Sequence, residues 1–142
     1  MQNSLIGFIL AIVSMVGLGV SSFLYKQSTT AIGPVNTTFF YYLFSVVFAS
    51  VAWIFFKEEG FASKELLWPF LTAVFLFISV LTFNFAIKYI DVSIGATIRS
   101  LSFIVTVVLA VLIFKEKLYL KDYIALTLAI VAIVIFGMNN SR

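Results

Sequence analysis

Arg99 is the one charged residue between Val92 and Phe114, a run of 23 residues that is otherwise apolar or hydroxylated. A guanidinium stays ionised and presents its N–H donors in a planar fork that matches a carboxylate or phosphate, so the chemistry it offers is anion binding. On an α-helix Gly95, Ser102, Phe103 and Thr106 share its face, placing a small residue, two hydroxyls and an aromatic wall around the guanidinium. A binding pocket is one reading of that face. The other is a side chain that reaches back to the membrane surface or bonds helix-end carbonyls, since Arg99 lies about 10 Å along the helix from Val92.

Asn84 is the second candidate. An amide in hydrocarbon must find hydrogen-bond partners, so it bonds either another helix or a solute. In the first helix Gly7, Ser14, Gly17, Ser21, Tyr25 and Ser28 fall on one face, opposite a broad aliphatic and aromatic one. Small and hydroxyl residues let helices approach closely in lipid, so the stripe is either a tight helix contact or a lining to which Ser21 and Tyr25 contribute ligand contacts. The candidate solute-binding set is therefore Arg99, Ser102, Thr106, Phe103, Asn84, Ser21 and Tyr25.

Other chemistries fare badly. All six acidic residues, Glu58, Glu59, Glu65, Asp91, Glu116 and Asp122, stand at helix ends or in loops, which leaves no buried carboxylate pair for acid and base work. There is no cysteine and no histidine, hence no thiolate or imidazole ligand, and no Gly-rich nucleotide fingerprint. No enzyme, cofactor or metal site is expected. A carboxylate within helix one, on which small four-helix multidrug exporters depend, has no counterpart between Met1 and Tyr25.

The elements that must position these residues follow from composition. Hydrophobic residues make up 63% and charged ones 11%, against roughly 25% charged in a soluble domain, so the chain cannot cover itself with a water-compatible surface. It belongs in a lipid bilayer, and its net charge of +3 reads as topology signals in the turns rather than as a nucleic-acid footprint. Crossing the hydrocarbon takes about 20 residues. Five such helices are expected, at approximately 4–25, 36–56, 67–88, 92–114 and 121–138, giving an all-α integral membrane protein with one domain over 1–142.

Lys26 and Gln27 are expected to close the first helix, with Gly33-Pro34 as the turn, because proline in a first helical turn loses no hydrogen bond it needed. Tyr41, Tyr42 and Trp53 near the ends of helix two read as an interfacial belt or as solute contacts. The polar runs 57–65 and 115–122 lie outside the membrane, and Lys88 and Asp91 form a short turn, paired or solvated. No secretory signal pattern is complete at the amino terminus, so helix one is expected to be retained. Lys57, Lys64, Lys115, Lys117 and Lys121 fall on the amino-terminal side and Lys26, Lys88 and Arg142 on the other, a small bias toward a cytoplasmic amino terminus that allows insertion both ways.

Ala86-Ile87-Lys88-Tyr89 ends the third helix, a Ser-rich helix runs from Ser93 through Ser102, Glu116 stands in the next turn, and Ala125 to Gly137 form a small-residue helix. In that order they resemble the carboxy-terminal half of an EamA domain of the drug/metabolite transporter superfamily. Helices one and two and the Gly33-Pro34 turn fit as well, so the resemblance covers nearly the whole chain. Three positions depart from it. Phe103 stands where a proline often kinks helix four, which predicts a weaker kink or none. Tyr41 or Tyr42 occupies a position where many members carry arginine, and Lys115 replaces the usual glycine before Glu116.

The resemblance implies a secondary transporter or exporter half moving a small metabolite, amino acid or similar solute through a site between two inverted repeats. This chain supplies one repeat, so it implies a homodimer or a heterodimer with another five-helix half, in a prokaryotic plasma membrane. It also gives Glu116 a second role beyond a solvated charge, bonding helix amides of a neighbouring repeat. The alternative from another class is a non-transporting membrane subunit that stabilises or regulates a partner, with Arg99 satisfied by that partner.

Overall fold

The computed structural model describes residues 2–56, 60, 63–115 and 117–139, with side chains described between 5 and 135 inside those limits. Glu58, Glu59 and Glu116 lie outside the described residues. All regular structure among those described is helical: α1 (Gln2–Ile32), α2 (Pro34–Phe55), a 3-10 turn (Ser63–Leu66), α3 (Leu67–Tyr89), α4 (Val92–Ser100), α5 (Ser102–Phe114) and α6 (Leu120–Asn139). Among the described residues four stretches are long and apolar enough to cross a membrane: Leu5–Ile32, Pro34–Phe55, Ser63–Tyr89 and Val92–Phe114. The chain packs as two compact units, Met1–Tyr89 and Ile90–Arg142.

In the first unit α1 does not stop at Lys26. Lysine is a good helix former and the chain meets no breaker before Gly33, so the helix runs on to Ile32. Gly33 ends it at φ 84°, a left-handed conformation that costs glycine little, and Pro34 then opens α2 with its φ already preset. One residue thus joins two helices, with Gly33 N–H on the Thr29 carbonyl and Thr37 N–H on the Gly33 carbonyl, each at 3.0 Å. So short a turn makes α2 antiparallel to α1. Ser28 meets Thr37, and Tyr25 meets Tyr41 one turn further from the bend.

α3 returns antiparallel to α2, with Tyr42 against Phe77 and Asn84 against Thr38. Among the described residues of this unit every buried side chain lies within 25–38 or 80–87. The helices close on one another at the end where α1 stops, α2 starts and α3 stops; 5–20 of α1 are exposed throughout. A Cβ built on Gly7 or Gly17 meets nothing within 4 Å, so the glycines of the small-residue stripe make no close contact among the described residues, whereas Tyr25 and Ser28 at its other end do. Tyr41 packs on Tyr25 and Tyr42 on Phe77.

In the second unit the expected continuous helix over 92–114 is interrupted at Leu101. The Leu101 N–H turns to the Ile98 carbonyl at 3.1 Å and the Ile104 N–H to the Leu101 carbonyl at 3.0 Å, three-residue steps in place of four. No proline is involved. The stretch before the break is rich in poor helix formers, Ser93, Gly95, Thr97 and Ser100, and the Ser100 hydroxyl donates to the Thr97 carbonyl at 2.6 Å. Such a bond alone does not break a helix: Ser21 and Ser22 both donate to the Leu18 carbonyl and α1 continues. Weak propensity and the competing hydroxyl act together at Leu101.

α6 starts at Leu120 because Asp122 accepts the Tyr119 N–H at 2.8 Å, one arm of a capping box. α5 and α6 border an open groove of about 280 Å³, lined by apolar side chains such as Ile104, Val107 and Val111 with Leu126 and Ile130. It offers nothing to hold a polar solute. α5 ends at Lys115, at φ 55° and ψ 35°, the left-handed cap position glycine usually takes. Lys115→Gly is expected to raise stability by about 0.5 kcal/mol, the left-handed penalty of about 1 kcal/mol less the chain entropy glycine loses. Thermal melts of the two proteins in one detergent check the sign.

Candidate solute-binding site

The candidates fall into two groups, one per unit. In the first, Asn84 is fully buried and donates from Nδ2 to Thr38 Oγ1 at 2.9 Å, while Thr38 Oγ1 donates to the Pro34 carbonyl at 2.8 Å. That chain fixes the amide's orientation. Thr38 has one hydroxyl proton, already given to Pro34, so toward Asn84 it can only accept and must face the NH₂. The Asn84 Oδ1 therefore points elsewhere, and among the described residues it has no partner.

Around this pair the layer is built of hydroxyls and rings. Ser28 and Thr37 share a hydrogen bond of 2.9 Å, joining α1 to α2. Tyr25 is buried edge-on against Tyr41 at 5.5 Å and Phe83 at 6.2 Å between ring centroids. Lys26 donates from Nζ to the Ile87 carbonyl, so its charge sits on the carboxy-terminal turn of α3, where the helix dipole favours a cation. Thr29 is buried, and its Oγ1 also has no partner among the described residues. Ser21, by contrast, turns its hydroxyl back onto the Leu18 carbonyl at 2.9 Å.

In the second group Arg99 is half-buried in the last turn of α4. Arg99 thus stands just before the interruption at Leu101, where the backbone bonds shorten to three-residue steps. Gly95 is buried and Phe103 half-buried, whereas Ser102 and Thr106 are exposed. Thr106 Oγ1 donates to the Ser102 carbonyl at 3.2 Å. What the arrangement can do is offer a half-buried cation from an apolar span.

Sequence reasoning missed Thr38, Thr29 and Lys26. A signal was present, because hydroxyls stand on both sides of Gly33-Pro34, Ser28 and Thr29 before it and Thr37 and Thr38 after it, and a one-residue turn must fold the two sets together. Among the described residues no three acidic, cysteine or histidine side chains gather as metal ligands.

Apolar spans that carry asparagine, lysine and arginine within their limits define an integral, multi-pass membrane protein. The chain belongs to the EamA-like transporter family, whose model matches residues 5–138, and so to the drug/metabolite transporter superfamily. No curated protein and no solved structure matches it.

Proposed function

We propose that the protein is a secondary transporter or exporter half of the drug/metabolite type, moving a small metabolite, amino acid or similar solute across a prokaryotic plasma membrane. The observation that carries this reading is the family match over residues 5–138. In it 1–142 is one domain of five spans, with α6, 20 residues long, as the fifth. An odd number of spans puts the termini on opposite sides, so a second copy inserted the other way, or another five-helix half, supplies the inverted repeat. The long exposed face of α1, with its uncovered Gly7 and Gly17, supports such a partner.

Arg99 is the anion-binding residue in this reading, with Phe103, Ser102 and Thr106 beside it in the chain. Asn84, Tyr25 and Ser21 are the contacts offered by the first unit. The test is counterflow of radiolabelled amino acids and small carboxylates into liposomes reconstituted with this chain alone. Flux of at least one of them above protein-free liposomes is expected. No flux from inserted, dimeric protein overturns transport by the chain alone and leaves either a half that needs another five-helix chain or a non-transporting subunit.

A further inference from the structure

We infer that the polar layer of Thr29, Thr38, Asn84 and Ile87 is a gate, one that opens by parting α1 from α3. The inference rests on the transport reading and adds to it the place where the passage closes. Two observations carry it. The first is the confinement of burial among the described residues of the first unit to 25–38 and 80–87, where the three helices close on one another. The second is the pair of orphaned oxygens, Asn84 Oδ1 and Thr29 Oγ1, each without accessible surface for a water and without a partner among the described residues.

Buried polar atoms are nearly always paired, because leaving one unpaired forfeits its hydration with nothing in return. A layer that stayed shut would be expected to satisfy them or to replace them by apolar groups. These two oxygens stand on α3 and on α1, whose bonds to α2 are in place: Asn84 to Thr38, and Ser28 to Thr37. α1 and α2 are also tied by the one-residue turn at Gly33. Separating α1 from α3 would hydrate both orphans at once and leave the bonds to α2 intact. What holds α1 to α3 includes the Lys26 amine on the Ile87 carbonyl, a bond whose two ends water can replace. Closed packing and open hydration thus oppose each other, as a two-state element requires.

Nothing but hydrogen bonding to water distinguishes Asn84 and Thr29 from apolar residues of similar size in this account. Asn84→Leu with Thr29→Val should therefore hold the layer shut. Thr38 tolerates the change, since its proton remains on the Pro34 carbonyl. The chain has no cysteine, so single-cysteine labelling needs no prior substitution. Val80, buried one turn before Asn84 on α3, becomes the reporter as Val80→Cys, and exposed Lys117 the control as Lys117→Cys.

In liposomes a membrane-impermeant maleimide should label Val80→Cys slowly, and roughly tenfold more slowly again when Asn84→Leu and Thr29→Val are added, a factor set by the hydration of about one buried polar group. Thr29→Val alone, which keeps size and shape, should slow labelling in the same direction if the double change fails to fold. Labelling of Lys117→Cys should not alter. The gate is overturned if Val80→Cys labels equally fast in both backgrounds, or never labels while Lys117→Cys does. Flux with unchanged Val80→Cys labelling overturns the gate and leaves transport standing; labelling that slows as expected, in a protein without flux, supports the opening and removes its role in transport.

Discussion

Arg99→Gln is expected to lower flux of an anionic solute by about 10- to 100-fold, the worth of one hydrogen-bonded charge lost from a site. Arg99→Lys is the sharper variant. It keeps the positive charge, so the protein should fold and insert normally, but it loses the planar fork and with it bidentate binding of a carboxylate or phosphate. Both variants are to be compared at equal amounts of correctly inserted protein, in the same counterflow assay. If both carry solute at the unsubstituted rate, Arg99 has no part in binding, and its charge is satisfied by helix-end carbonyls or at the membrane surface. The assay separates a binding role from a structural one because glutamine and lysine fail for different reasons.

The second large effect is on stability. Ile87 is 0% exposed in the layer where α1, α2 and α3 meet, whereas Ile113 in α5 is 64% exposed. Ile87→Ala is expected to cost about 2 kcal/mol, at the low end for a buried isoleucine, because in a membrane only packing is lost and no hydrophobic transfer from water adds to it. Ile113→Ala should fall within about 0.5 kcal/mol of the unsubstituted protein. Denaturation in mixed micelles gives both numbers. Equal losses at the two positions would mean that the layer around Ile87 is not the core of the first unit.

Much of the fold is legible in the residues themselves. The apolar runs, the Gly33-Pro34 turn and the polar segment near 57–65 mark the spans without any long-range information, because a hydrocarbon solvent penalises each exposed polar group locally. Lys115 is legible too: a lysine before Glu116, where the family usually places glycine, is the residue found in the left-handed cap. The end of α1 was misplaced because a charge was read as a membrane boundary. Lys26 instead stays helical and spends its amine on a carbonyl 61 residues later. The interruption at Leu101 was hidden for another reason. Phe103 in place of proline removes one known cause of a kink, but poor helix formers and a competing hydroxyl supply another.

The sequence by itself determined that this is a membrane protein with a cation inside one span, an amide inside another, and neither cysteine nor histidine. Those are properties of residue type and local hydropathy, and lipid reads them residue by residue. Only the tertiary structure decided that Asn84 faces Thr38, that Thr38 spends its proton on Pro34, and that Asn84 Oδ1 and Thr29 Oγ1 have no partner among the described residues. Hydrogen bonds between helices depend on register and rotation about each axis. In this protein both follow from the one-residue turn at Gly33 and from the rings of Tyr25, Tyr41 and Phe83 packing edge-on, relations that no single helix contains.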